Sequence, residues 1–148
     1  MLAVGARAPD FTLPDADGRS VSLSGLLKAG PLFLYFYPAD FTPACTRQAC
    51  RLRDLHKSIR AAGFGLAGIS SQSPESHHAF RDKYRLPFPL LSDVDRCVVR
   101  MYGVEGPFKL GVRRVTFLID PSRTIRDRVV ADLRIGAHTA FVRRALAR

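Results

Sequence analysis

The segment Leu32-Phe33-Leu34-Tyr35-Phe36-Tyr37 is apolar or aromatic at every position. It lacks the alternation of a half-exposed strand and reads as a central strand covered on both faces. A helix start follows directly. Thr42 is a capping residue type, and Pro43 takes the first helical position, where a missing N–H costs nothing. Apolar residues then recur at Cys45, Ala49, Leu52, Leu55 and Ile59, one face of a helix, while Arg47, Arg51, Asp54 and Lys57 fall elsewhere. Ala62-Gly63 ends the pattern. A buried strand leading through a tight turn into an amphipathic helix commits the chain to layered α/β architecture.

The rest of the chain fits that frame. Residues 8–23 read as an N-terminal β-hairpin turning at Asp17-Gly18. Ser24 to Lys28 gives one helical turn, and Phe64 to Ser70 a second central strand. Ser73-Pro74-Glu75 opens a helix to about Arg85, Pro87 to Leu91 is a short strand, and Asp93 to Tyr102 a short helix ending at Gly103. Arg114 to Asp120 is a strand, Pro121-Ser122 a turn, Thr124 to Val130 an antiparallel return, and His138 to Leu146 a closing helix. The expected order is ββ(α)βαβαβαββα, a central mixed sheet flanked by helices. With 148 residues and no repeat, low-complexity tract or linker, the expectation is a single domain over residues 1–148.

Composition narrows the function. At 47% apolar and 24% charged residues, the chain is globular rather than disordered. No apolar run approaches the roughly 18–20 residues that span a bilayer. The N-terminus lacks the basic and apolar regions of a secretory signal, so a cytoplasmic protein is expected. In that compartment three cysteines point to reduced or redox-active thiols rather than a disulfide framework. The formal net charge is +10, carried by 19 Arg and 4 Lys. These are scattered, with doublets only at Arg113-Arg114 and Arg143-Arg144, and no nucleic-acid-binding motif accompanies them. They read as a solvated surface that can steer acidic partners. No C-x-x-C or H-x-x-x-H spacing suggests a metal. The histidines have no acid/base partner at a telling spacing; surface or helix-end roles are expected for them, and surface or helix-face positions for Asp40 and Asp54.

Cys45 falls in the first turn of the helix that begins at Thr42. A thiolate there faces unpaired backbone N–H groups and the positive end of the helix dipole. Thr42 can turn its hydroxyl toward the sulfur or toward a substrate oxygen. Arg113 or Arg114 can close the site with a cation if their strand neighbours the 32–37 strand, and the pleat lets only one of them point inward. The competing reading of Cys45 is a core thiol on the buried helix face. Cys50 adds a geometric constraint. Five residues of regular α-helix separate two Cα atoms by roughly 8–9 Å, whereas a disulfide needs less than about 7 Å. The two cysteines can bond only if the first one or two helical turns unwind. The competing reading of Cys50 is an inert core thiol.

Pro38-Ala39-Asp40-Phe41-Thr42-Pro43-Ala44-Cys45 resembles the P-x-x-x-T-x-x-C signature of the peroxiredoxins. Cys45-Thr46-Arg47-Gln48-Ala49-Cys50 resembles their bacterioferritin comigratory protein, or peroxiredoxin Q, subfamily. Gly5 to Phe11, Gly68-Ile69-Ser70, Leu91-Ser92-Asp93 and Arg114 to Asp120 extend the similarity over nearly the whole chain. The resemblance implies a thioredoxin-like fold and a thiol peroxidase acting on hydrogen peroxide and organic hydroperoxides. Cys45 is then the peroxidatic nucleophile, Thr42 bonds the peroxide, Pro38 shields the sulfur, Arg114 orients and activates the pair, and Gln48 supports Arg114. Cys50 is the resolving cysteine of an intramolecular disulfide, which a thioredoxin-like dithiol reduces. The resemblance implies no metal or organic cofactor and no specific nucleic-acid partner, and a monomer, or at most a weak dimer, is expected. Two features depart from the subfamily: the stretch from Gly103-Val104 to Arg114 is short, and Cys97 matches no family cysteine and reads as a bystander. The second reading is a thioredoxin-like disulfide oxidoreductase without peroxidase activity. It calls for C-x-x-C and, by resemblance, a proline where Val115 stands; the chain has neither.

Overall fold

The computed structural model describes residues 1–148. Five strands form the central sheet in the order β5-β4-β3-β6-β7. They are β3 (Leu32–Phe36), β4 (Gly65–Ser70), β5 (Leu90–Ser92), β6 (Val115–Ile119) and β7 (Ile125–Val130). β3 pairs parallel with β4 and β4 with β5, whereas β6 runs antiparallel to both β3 and β7. The N-terminal hairpin, β1 (Thr12–Pro14) and β2 (Ser20–Ser22), forms its own two-stranded sheet. Asp15 closes its turn by accepting the N–H groups of Asp17 and Arg19, and Gly18 takes a φ of 78° there.

All five residues of β3 are buried, and the pleat divides them between two cores. Leu32, Leu34 and Phe36 join Val115, Phe117 and Ile119 in one core. That core is covered by α1 (Leu23–Leu26), through Leu23, and by α4 (Cys97–Tyr102), through Val98, Val99 and Tyr102. Phe33, Tyr35 and Tyr37 face the other core, under α2 (Pro43–Ala61), α3 (Pro74–Tyr84) and α5 (Ile135–Leu146). Each fully buried aromatic or aliphatic side chain contributes roughly 1.5–3 kcal/mol, which is why a strand with no polar side is stable only at this central place. Close packing also demands Gly68: a Cβ there would stand 2.8 Å from the Tyr35 ring.

The element order is the expected one, with three shifted boundaries. β5 begins at Leu90 rather than Pro87, because Pro87 and Pro89 have no N–H to give a ladder. α4 begins at Cys97 rather than Asp93. The buried Asp93 carboxylate stays outside the helix and accepts the N–H groups of Val98 (3.2 Å) and Val99 (2.8 Å). α5 begins three residues earlier than expected, at Ile135, with Arg134 at its N-cap and no side-chain cap. No helix is long and apolar enough to cross a membrane.

Candidate active site

β6 runs antiparallel to β3, so its first residues lie beside the place where β3 ends and the 38–42 loop begins. Phe36 pairs with Val115. Arg114, one residue earlier, shares the face of Thr116 and Leu118, under α2 and α5. Arg113 takes the other parity and forms a half-exposed ion pair with Asp132 at 2.8 Å. The cation that the sequence left open between neighbours is therefore Arg114, which is 3% exposed.

Each of its three guanidinium nitrogens donates a hydrogen bond. Nη2 donates to Cys45 Sγ at 3.3 Å, Nη1 to Gln48 Oε1 at 2.5 Å, and Nε to the Asp132 carbonyl at 3.1 Å. Gln48 is three helical positions past Cys45 and buried, so α2 presents Cys45 and Gln48 to one cation. The Asp132 carboxylate accepts the Arg114 backbone N–H at 3.1 Å. The hydrogen bond from Arg113 outweighs desolvation at Asp132 and, with the Arg114 N–H, holds that carboxyl below the usual range. Arg114 is thus fixed from its backbone, from its side chain and through its neighbour.

Cys45 is 2% exposed and sits in the first turn of α2. Ala44 and Cys45 have no intrahelical acceptor for their N–H groups, since the first such bond is Thr46 N–H to the Thr42 carbonyl at 2.9 Å. An open groove of about 900 Å³ runs past the start of α2, reaching Ala44 and Arg114, the neighbours of the buried Cys45. Pro38, Thr42 and Ala44 line one side, and Arg114, Val112 and Leu133 the other. The short stretch that departs from the subfamily also lines it, closed by the bridge between Glu105 and Val112. Its tip packs tightly: a Cβ on Gly106 would meet the Leu110 carbonyl at 2.0 Å, and Phe108 and Lys109 both adopt left-handed φ, 57° and 60°. Phe108, Leu110 and Leu133 are strongly exposed along this rim.

Thr42 occupies the N-cap by its backbone, but its hydroxyl does not face the sulfur. It donates to the Ala39 carbonyl at 3.0 Å and caps no helical N–H. Cys50 is half-buried on the same unbroken 19-residue helix as Cys45, and both are free thiols. Cys97 is an exposed free thiol at the start of α4, away from this cluster in the fold. No group of three or more His, Cys, Asp and Glu side chains is arranged to hold a metal ion.

Two expectations for polar residues are overturned. Asp40 is not a surface residue but 5% exposed, and His77 is wholly buried. Asp40 accepts from His77 Nδ1 (2.7 Å), Tyr37 OH (2.6 Å) and Ser76 Oγ (2.7 Å). Burial raises the Asp40 carboxyl, but the hydrogen bond and charge of His77, with the two hydroxyls, outweigh it and leave the group below its ordinary value. Burial, with the charges of Tyr35 and Asp40, pushes the Tyr37 phenol well up, so it remains a donor. His138 is buried as well, with Nε2 donating to the Ala131 carbonyl and Nδ1 accepting from the Thr116 hydroxyl, each at 2.8 Å. His78 is exposed, as the sequence led one to expect.

Comparison with known proteins places this cluster in a family. The model of the AhpC/TSA family matches residues 4–128. A putative peroxiredoxin bcp of Coxiella burnetii is 42% identical over 147 residues, 95% of this chain and 96% of its own. The chain belongs to the AhpC/TSA family of peroxiredoxins. The crystal structure of the peroxidoxin BcpB from Mycobacterium tuberculosis superposes with a TM-score of 0.93 at 35% identity, covering 99% of this chain and 97% of that one. Peroxiredoxin Q of Xanthomonas campestris gives 0.84 at 29% identity, covering 93% and 89%. The bacterioferritin comigratory protein and peroxiredoxin Q resemblance holds, and the fold is thioredoxin-like.

Proposed function

We propose that this peroxiredoxin is a thiol peroxidase in which Cys45 reduces hydroperoxides and Cys50 resolves the oxidised thiol. The observation that carries it is the guanidinium of Arg114, which lines an open groove, donating to Cys45 Sγ at the first turn of α2. The thiolate is the form that attacks a peroxide, and Arg114 donates to this sulfur. The sulfur attacks the distal peroxide oxygen, the O–O bond breaks, and the leaving oxygen takes a proton, giving Cys45–SOH and water or an alcohol. Arg114 and the free N–H groups stabilise the charge that develops on the two oxygens. Pro38 shields the sulfur from bulk water. For Thr42 to hold the peroxide, its hydroxyl rotates away from Ala39, a turn about one bond. Gln48 holds Arg114 in place.

The second half of the cycle needs motion. Cys50 attacks the Cys45 sulfenic sulfur, the S–S bond forms and hydroxide leaves as water. Because regular helix keeps the pair roughly 8–9 Å apart, the beginning of α2 unwinds first. A thioredoxin-like dithiol then reduces the disulfide by exchange. The apolar groove rim, with Leu110, Val112 and Leu133, suits organic hydroperoxides as well as hydrogen peroxide. Recycling by a dithiol donor suits action in the cytoplasm, where thiols are kept reduced.

The test is peroxide oxidation of the wild type, Cys45→Ser and Cys50→Ser, followed by peptide mapping. Cys45→Ser loses turnover. Cys50→Ser keeps the first oxidation and then accumulates sulfinic acid at Cys45. Thiol loss in the wild type no faster than that of free cysteine would reject the peroxidase reading, and normal cycling of Cys50→Ser would reject Cys50 as resolver.

A further inference from the structure

On α2, Arg47, Cys50, Arg51 and Asp54 follow the i, i+3, i+4, i+7 spacing of one helical stripe. Cys50 therefore stands between two recesses. Arg47 lines the groove at the start of α2, while Arg51 and Asp54 line a second cleft, of about 550 Å³, between α2 and α5. Arg143 and Arg144 close that cleft from α5. The Arg51 guanidinium lies against the first turn of α5, in ordinary contact distance of where a Cβ on Gly136 would stand, 3.9 Å from Nη1.

The charge around Cys50 is not balanced. None of Arg47, Arg51, Arg143 and Arg144 has a carboxylate within 4.0 Å, although seven arginine–carboxylate pairs form in the molecule. The one acidic residue of the cleft, Asp54, is already paired with Arg53 at 3.1 Å. The first turn of α5 carries no acidic residue either, so the positive end of its dipole adds to the field.

We infer that this arginine-lined face of α2 and α5 is the docking surface for an acidic protein dithiol that reduces the Cys45–Cys50 disulfide. The inference rests on Cys50 being the resolving cysteine. Opposed charge at the rim of an interface acts mainly on the association rate. A partner of net negative charge is drawn to the face where Cys50 is partly exposed. Its thiolate attacks the Cys50 sulfur, and the Cys45–Cys50 bond breaks with Cys45 leaving as thiolate. The partner's second thiol then displaces Cys50, so that the partner ends as the disulfide. Arg143 and Arg144 belong to α5, which has no part in the unwinding of α2, so the attraction persists in the oxidised form.

The test uses the full chain oxidised with one equivalent of hydrogen peroxide. Its reduction is followed with a thioredoxin of net negative charge and, separately, with dithiothreitol, which is small and uncharged. The doubly substituted Arg143→Glu/Arg144→Glu protein is compared with Lys28→Glu/Arg100→Glu, which makes the same net charge change at exposed residues of elements on the opposite core. The first variant should lose about tenfold in the thioredoxin rate at low salt, together with most of its salt dependence. Its dithiothreitol and peroxide rates should stay at the wild-type level, and the second variant should stay close to wild type throughout. Equal losses in the two variants, unchanged thioredoxin rates in the first, or wild-type reduction no faster with thioredoxin than with dithiothreitol would overturn the docking surface alone. Absence of a Cys45–Cys50 disulfide on peptide mapping would instead overturn the resolving role of Cys50, and the docking surface with it.

Discussion

His77 Nδ1 lies 2.7 Å from Asp40 Oδ2, and neither side chain is exposed. Asp40 belongs to the loop that carries Pro38 and Thr42, and His77 to α3, so the pair fastens the active-site loop to the neighbouring helix. The other ring nitrogen of His77 faces the Leu91 carbonyl at 3.1 Å, which ties β5 into the same network. The loop is thereby fixed just ahead of the helical turns that must unwind.

Removing one partner of such a pair strands the other without water. Asp40→Ala is therefore expected to cost about 1–3 kcal/mol of stability, the cost of leaving buried hydrogen-bonding groups unpaired. The double variant Asp40→Ala/His77→Ala should lose about 0.5–3 kcal/mol less than the sum of the two single variants, because the pair is coupled. Urea denaturation of the four proteins checks both numbers, and strict additivity would mean that the pair is not a unit.

Arg114 makes a different case, because its value lies in shape. A planar fork serves Cys45 Sγ, Gln48 Oε1 and the Asp132 carbonyl together, which the single ammonium of lysine cannot do. Arg114→Lys keeps the charge and should still lower the second-order rate with peroxide by about 10²–10³-fold, the effect of removing one preorganised donor to developing charge. Stopped-flow oxidation measures it. A loss below threefold would show that charge alone suffices.

His138 supplies a pH signature. Burial lowers its pKa, the hydrogen bond to the Ala131 carbonyl opposes this, and the nearby Arg114 charge lowers it further. The net shift is down, so the unfolded chain takes up the proton first as pH falls. The stabilisation is complete above the unfolded value, about 6.5, and is lost as pH falls through the lower folded value. Wild type should lose more stability between pH 7.5 and 5 than His138→Gln does. Urea midpoints across that range test it, and parallel curves would contradict it.

These interior histidines mark where sequence reading stops. The β3 strand and the start of α2 follow from local period and were legible; the pleat said only that one of Arg113 and Arg114 points inward, and the family resemblance selected Arg114. Asp40 and His77 are 37 positions apart, and Thr116 and His138 are 22 apart. Only the sheet order and helix docking bring them together, so no spacing announces them. The early start of α5 was hidden for a local reason. Arg134 is no capping residue, and Gly136 in the first turn looks like a breaker, while the buried Ile135 supplies the packing that overrides both. The family resemblance did mark Cys45, Gln48 and Arg114, and the fold brings Arg114 within hydrogen-bond distance of the other two.

The unwinding that Cys50 requires can be tuned without touching either cysteine. Ala49 is buried in α2 between them, and glycine in a helix interior costs about 1 kcal/mol relative to alanine. If the cost falls on the folded helix and not on the unwound segment, Ala49→Gly raises the unwound population about fivefold, since 1.4 kcal/mol is about tenfold. Disulfide formation after a pulse of peroxide should quicken by a similar factor, and sulfinic acid at Cys45 should fall at high peroxide. Rapid quench followed by mass spectrometry gives both quantities. An unchanged rate of disulfide formation would show that unwinding of α2 does not limit resolution.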